Sequence, residues 1–200
     1  IARSWWNLLV RGLLGMVLYQ SLAYYAAHSV SALFMGILNT LIPLLTVLLS
    51  VVVMRLAPTV GILLGSLLSF CGLVWLVSAG QPAQLLSHGL GKGEMMMFAA
   101  SASYALYGVL TKRWAIPLPN WQSLWVQIFF GVLLLTPNFL MAPDVSLNAQ
   151  NIPLVLFAAI PASVIAPFLW IQGVMRMGAS TASIFMNLVP IFTAIIAVTF

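Results

Sequence analysis

The sequence predicts an all-α fold, a polytopic membrane helical bundle, and three observations lead to that prediction. Of the 200 residues, 63% are hydrophobic and only 4% are charged, and the mean hydropathy is +1.13. A soluble domain carries roughly a quarter charged residues, so this composition excludes a soluble fold. Apolar runs long enough to cross a hydrocarbon core about 30 Å thick recur between charged or Pro/Gly-rich breaks. Alternation of polar and apolar residues with a period of two is absent, so the spans are predicted to be helices.

The apolar runs predict seven transmembrane spans. We expect them at about residues 7–27, 30–54, 58–80, 93–112, 119–141, 152–176 and 179–200. The connections between them are short, so consecutive spans are predicted to be antiparallel neighbours. No connection has room for a domain outside the membrane, and a functional site is therefore expected between the helices.

The basic residues predict the orientation of the chain. Lys and Arg accumulate in cytoplasmic loops, and on a seven-span zigzag only Lys92 falls on the opposite side from the other basic residues. Those others are Arg3, Arg11, Arg55, Lys112, Arg113 and Arg176. We expect a multi-pass protein of the cell inner (plasma) membrane with its first residues in the cytoplasm. The net charge of +5 follows from the same rule, so we expect the lipid bilayer as a partner and no nucleic acid. A homodimer is left open.

Arg11 is predicted to lie at the cytoplasmic interface, close to Trp5 and Trp6. Indoles anchor helices at that depth, and an arginine can extend its guanidinium back to the lipid headgroups. On this assignment no Lys or Arg lies near the midplane of the bilayer. A buried phosphate would need such a cation, so nucleotide sugars and sugar phosphates are disfavoured as substrates.

Two segments share one design and indicate an internal repeat. Residues 31–53 read SALFMGILNTLIPLLTVLLSVVV and residues 178–200 read GASTASIFMNLVPIFTAIIAVTF, with Asn39 before Pro43 and Asn187 before Pro190. A proline inside a helix removes a backbone hydrogen bond and kinks the helix. We expect each kink to offer a carbonyl and a side-chain amide within the membrane. We also expect residues 178–200 to be the centre of the architecture.

Two further patterns predict helix geometry. The third span carries small residues at intervals of about four, which predicts close packing on another helix; they are Gly61, Gly65, Ser69 and Gly72. The sixth span carries Pro161 and Pro167. Two kinks in one helix are typical of the gating helices of transporters.

Several runs resemble one known family. They are YYAAHSVSALFMGILNTLIPLLTVLLSVVV, GSLLSFCGLVWLV, GEMMMFAASASYALYGVLTKRW and WIQGVMRMGASTASIFMNLVPIFTAIIAV. Together they resemble EamA-type members of the drug/metabolite transporter superfamily over nearly the whole chain. The resemblance implies two inverted five-helix repeats, of which this chain holds helices three to nine. Residues 1–80 would be the end of the first repeat, 81–92 the outer connecting loop, and 93–200 the first four helices of the second.

The favoured function is secondary transport, with a probable role in export. An enzyme is not expected, because the spans hold no nucleophile with an acid/base pair and no metal cluster, and no cofactor is expected either. A channel or a membrane assembly protein is the alternative. The polar and aromatic side chains available within the spans suit a small-molecule substrate such as an amino acid or an amphipathic drug. The predicted substrate-binding residues are Gln20, Tyr24, Asn39, Ser101, Tyr104, Trp170, Gln172 and Asn187.

Overall fold

The computed structural model describes residues 2–55, 58–78, 80–83, 91–141, 148–189 and 191–192, and within them it contains helices and turns but no strand. Seven helices follow one another along these residues. They are α1 (Ala2–Gly12, π-helical Leu13–Leu18 and Tyr19–Ala26), α2 (Ala32–Asn39, Leu41–Leu49 and π-helical Ser50–Met54), α3 (Val60–Val77), α4 (Lys92–Arg113), α5 (Asn120–Leu140), α6 (Ile152–Phe157, π-helical Ala158–Ile165 and Ala166–Met177) and α7 (Ala179–Ile184 and 3₁₀-helical Phe185–Leu188).

The helical bundle predicted from the sequence is confirmed. Helices α2 to α6 lie within about three residues of the predicted spans, and α7 begins at Ala179 as expected. Two continuous helical stretches meet a length and hydropathy criterion for membrane spans by themselves: Phe34–Met54 and Ile152–Met177, with mean hydropathies of 2.4 and 2.3. Residues 193–200 and most of the predicted connecting loop lie outside the described residues.

Helix α4 is the centre of the described bundle, which corrects the expectation that residues 178–200 would be. It packs against α1, α2, α6 and α7, and its buried positions run from Gly93 to Thr111, along most of its length. Small residues make this possible, because Ala100, Ser101 and Ala105 let neighbouring helices approach closely. At its first turn, Glu94 folds back over the N-cap residue Gly91, in agreement with a capping role.

Basic side chains close one end of the bundle, which we call the basic end. Lys112 donates a hydrogen bond to the carbonyl of Met175 at 2.7 Å, and Arg113 donates one to the carbonyl of Val53. These bonds join the end of α4 to the ends of α6 and α2, where the last carbonyls of a helix lack donors. Arg55 lies beside them, and Arg176 lies in the last turn of α6, so four cations share this end.

The repeated segments both break near their asparagines. In α2 the first segment ends at Asn39 and Thr40 forms a turn, three residues before Pro43. In α7 the regular helix gives way to the 3₁₀ segment Phe185–Leu188. The two helices pack together, and the hydroxyl of Ser180 donates to that of Ser50 at 3.2 Å. Pro190 lies outside the described residues, so its kink stays a prediction.

Among the described residues, the glycines of α3 do not make the close helix contact that the sequence predicts. A Cβ built at Gly61, Gly65 or Gly72 would meet nothing within 4 Å among the described residues. Helix α3 instead turns Ser66 inward, with 2% of that residue exposed, and contacts α2 and α7. Close approaches occur at glycines elsewhere, among them Gly93 in α4 and Gly12 and Gly15 in α1; the neighbour of Gly12 is the backbone of another helix.

Candidate functional site

A cavity of about 400 Å³ opens between α1, α4, α6 and α7. It therefore draws its walls from both halves of the chain. Helix α1 contributes Gly15, Met16, Tyr19 and Gln20, α4 contributes Tyr104 and Tyr107, α6 contributes Trp170 and several small or apolar residues, and α7 contributes Phe185 and Met186. A volume in this range suits a small organic ligand.

Irregular helix turns border the cavity. The π segment of α1 supplies Gly15 and Met16, and the π segment of α6 supplies Ala162. A π turn leaves some backbone carbonyls without their usual donors, and serine hydroxyls donate to two of them. Ser103 donates to the carbonyl of Leu14 at 2.8 Å, and Ser163 donates to the carbonyl of Ala158 at 2.7 Å. Such turns occur frequently at functional sites.

Four aromatic rings form one wall. Tyr104 is the central ring, with centroids 4.6 Å from Tyr19, 5.6 Å from Tyr107 and 5.3 Å from Trp170. All three contacts are tilted, an arrangement that aromatic quadrupoles favour. The indole Nε1 of Trp170 is buried and, among the described residues, has no hydrogen-bond partner. A ligand in the cavity would meet aromatic faces, and the indole N–H lies buried behind them.

The predicted site residues separate into three groups. Gln20, Tyr104 and Trp170 line the cavity. Asn39 and Ser101 lie one layer behind its wall, where the Ser101 hydroxyl is 3.1 Å from the carbonyl of Leu38 and 3.4 Å from Asn39 Oδ1.

Asn39 also interacts with the side chain of Tyr19, which does line the cavity. The Ser101 hydroxyl donates a hydrogen bond to the carbonyl of Leu38 at the break in α2. Asn39 and Ser101 therefore support the cavity wall from behind, whereas the sequence predicts that they line the cavity.

Tyr24 and Gln172 form the third group, because neither lines the cavity. Tyr24 is 64% exposed. The second half of α1 packs on α4 through a stripe that includes Leu22 and Ala26. Tyr24 lies on the opposite face of the helix. Gln172 accepts a hydrogen bond from Asn120 at 2.9 Å, and this bond joins α6 to the start of α5. A substrate-binding role for either residue stays a prediction without support from this geometry.

Asn187 lies in the 3₁₀ segment of α7, next to the cavity residue Met186. Replacing Asn187 with Leu removes its amide at nearly constant volume, and we expect transport by the full-length protein to fall more than its abundance. Flux in proteoliposomes and the amount of folded protein should be measured side by side, with Asn187→Gln as the variant that keeps an amide. Equal losses of flux and abundance would make the residue structural.

Arg11 does not extend its guanidinium out of the bundle as predicted, and it places a cation inside the bundle where none was expected. Helix α1 begins at Ala2, five residues before the predicted span, so Arg11 lies about 14 Å along the helix. Only 3% of the residue is exposed. The argument against phosphorylated substrates rested on the missing cation and no longer holds.

Sequence reasoning missed Tyr19, Tyr107 and Gly15 as cavity residues. Gly15 and Tyr19 are four residues apart and therefore share a helix face. A Cβ on Gly15 would lie 3.0 Å from the Tyr107 ring, so the glycine admits this ring into the wall. A small residue one turn from an aromatic residue was the available signal, but choosing between adjacent faces of α1 requires the packed structure.

The fold defines a polytopic helical membrane protein with a cavity between α1, α4, α6 and α7. The sequence matches the model of the EamA-like transporter family over residues 1–78 and 91–200. The chain belongs to this family.

Curated relatives agree with the family assignment. The chain is 28% identical over 195 residues to the uncharacterized transporter YyaM of Bacillus subtilis, covering 94% of this chain and 63% of the relative. It is 27% identical to the uncharacterized transporter YetK of the same organism, covering 95% of this chain and 59% of the relative. It is also 27% identical to protein PecM of Dickeya dadantii, covering 84% and 56%. The chain thus spans about 60% of the length of these relatives, and no solved structure matches it.

Proposed function

We propose that the full-length protein is a secondary transporter that exports small metabolites, such as amino acids or amphipathic drugs, by alternating access. The observation that carries this proposal is the cavity of about 400 Å³, because it lies between the two halves and combines an aromatic wall with few polar groups. Such a surface suits an amphipathic molecule of modest size.

The irregular helices supply a means of changing access. The cavity is bordered by the π segment of α6 and the 3₁₀ segment of α7. Gly178 joins these helices with a φ of 90°, a backbone conformation that favours glycine. We infer that α6 and α7 move about these points to open the cavity to either side, as broken helices do in other transporters.

Flux in proteoliposomes tests the proposal against a channel. A carrier gives flux that saturates with substrate concentration, and unlabelled substrate on the far side accelerates uptake of label by counterflow. The full-length protein should be reconstituted and examined against a panel of amino acids and amphipathic cations. Flux that rises linearly with concentration and lacks counterflow would support a pore instead.

We also propose an inner-membrane location with the basic end in the cytoplasm. Single cysteines at positions 55, 112 and 92, in a Cys71→Ser background, allow this to be checked in intact cells with a membrane-impermeant thiol reagent. We expect position 92 to react, and positions 55 and 112 to react only after the cells are permeabilised. If position 55 or 112 reacts in intact cells as rapidly as position 92, the proposed cytoplasmic location of the basic end is wrong.

A further inference from the structure

Arg11 is a buried cation to which the described residues offer no anionic partner. It is 3% exposed within α1, and the guanidinium Nε has no hydrogen-bond partner among the described residues. Glu94, the one carboxylate within the described helices, opens α4 about 20 Å along that helix from Tyr107, the residue with which Arg11 interacts. A lone charge in a bundle interior costs several kcal/mol and by default indicates a functional site.

The residues around Arg11 connect it to the cavity. Its guanidinium interacts electrostatically with Tyr107, whose ring packs against Gly15 and forms part of the cavity wall. Thr111 lies one turn along α4, and its hydroxyl is beside that of Tyr107 without the geometry of a hydrogen bond. Both residues are at most 1% exposed. Arg11 thus lies behind Tyr107, next to the cavity and toward the basic end.

The unsatisfied polar atoms of this region are mostly donors; the exception is the amide oxygen of Gln127, whose backbone packs against Gly12. Within the described residues, four buried polar atoms in or beside the wall lack partners: Arg11 Nε, Trp170 Nε1 and the hydroxyls of Tyr107 and Thr111. The arginine and indole nitrogens can only donate, and the two hydroxyls can each donate. An ionised carboxylate only accepts hydrogen bonds and carries the charge that balances one guanidinium. A phosphate dianion would need a second cation.

We infer that Arg11 and Tyr107 form an anion subsite at the floor of the cavity that takes the carboxylate of the transported molecule. This inference rests on the proposed transport function and narrows its substrate class to carboxylates with an apolar body. The Tyr107 hydroxyl donates to the carboxylate, and Arg11 behind it supplies the opposite charge. The aromatic wall of Tyr104 and Trp170 packs against the apolar part.

Binding to purified full-length protein tests the subsite without requiring transport. The probes are L-phenylalanine and L-leucine, each paired with its primary amide, which keeps the shape and the ammonium group but lacks the carboxylate. A charge-assisted hydrogen bond corresponds to roughly a 10- to 100-fold preference. We expect the wild type to bind at least one acid about 10-fold or more tightly than its amide, as measured by calorimetry or by tryptophan fluorescence.

Three variants assign the preference to this subsite. Arg11→Gln should abolish the preference while leaving amide affinity within about twofold. Tyr107→Phe keeps the ring and should weaken acid binding several-fold without changing amide binding, which keeps the test usable if the arginine variant does not fold. Arg176→Gln is the matched control, because this arginine is exposed at the end of α6, and it should keep the full preference.

Three results would overturn the inference: no acid in the panel binds, acid and amide bind equally to the wild type, or the preference survives both Arg11→Gln and Tyr107→Phe. Equal binding would also be the outcome if a carboxylate of the protein itself neutralised Arg11. Saturable flux and counterflow of an amide, together with equal binding, would refute the subsite and leave the transporter proposal intact. Acid-selective binding without any flux would support the subsite and refute the transporter proposal.

Discussion

Replacing Gly12 with Leu is expected to destabilise the protein far more than the same replacement at a glycine of α3. A Cβ at Gly12 would lie 3.1 Å from the carbonyl oxygen and 3.5 Å from the Cα of Gln127 in α5. The obstacle is backbone, so it cannot rotate away as a side chain could, and the larger leucine would push α1 and α5 apart. Overpacking of this kind costs typically about 1–3 kcal/mol and occasionally more. The readout is the melting temperature of the purified full-length protein in detergent.

Gly61→Leu is the matched control for this prediction. A Cβ at Gly61 meets nothing within 4 Å among the described residues, so the same change should lower the melting temperature far less. A more graded comparison is Gly12→Ala, which requires the helices to separate by only a few tenths of an ångström. Equal destabilisation by Gly12→Leu and Gly61→Leu would mean that the contact between α1 and α5 does not limit stability.

The boundaries of the helices were predictable because hydropathy decides them. The desolvation cost of charged residues places Lys92, Arg113 and Arg176 at or near helix ends. The largest difference occurs at α1, where the predicted span begins at about residue 7 and the helix begins at Ala2. Local composition favoured the later start, whereas packing against α4 and α5 extends the helix back to Ala2.

The faces of the helices were harder to predict than their ends. In α3 the glycines do share one face of the helix, but the face that packs against the described bundle is the one that contains Ser66. In α1 the cavity face includes Tyr19 and Gln20 while Tyr24 is exposed. Helical periodicity indicates which residues share a face, but the neighbour that a face meets depends on all the other helices at once.

The cavity itself was partly predictable from side-chain chemistry. Tyr104 and Trp170 combine a large apolar ring with a polar group, and such residues inside a bundle need either a partner or a ligand. The predicted set was less accurate for the amide and hydroxyl groups. Ser101 has a backbone carbonyl within reach and Gln172 has an amide, so these groups are satisfied by the protein itself.

The second large effect is expected from Trp170→Ala, on substrate affinity. Because Trp170 also packs against the buried core, affinity is compared only for protein that is shown to be folded. The indole lines the cavity, contacts Tyr104 at 5.3 Å between ring centroids, and has a buried Nε1 that lacks a partner among the described residues. Loss of a buried aromatic surface against a ligand costs about 1.5–3 kcal/mol, which corresponds to a roughly 10- to 100-fold weaker affinity. Half-saturation of flux in proteoliposomes, for whichever panel compound the wild type transports, is the quantity to measure.

Two further variants separate the causes of the Trp170 effect. Trp125→Ala removes an indole that is 53% exposed near the start of α5, and it should leave half-saturation within about twofold of the wild type. Trp170→Phe keeps an aromatic ring but lacks the N–H, so it should recover most of the affinity unless the ligand accepts a hydrogen bond from Nε1. A recovery of less than about a third of the lost binding free energy would assign the main contribution to that hydrogen bond. If Trp170→Ala and Trp125→Ala shift half-saturation equally, the cavity bordered by α1, α4, α6 and α7 does not bind the transported molecule.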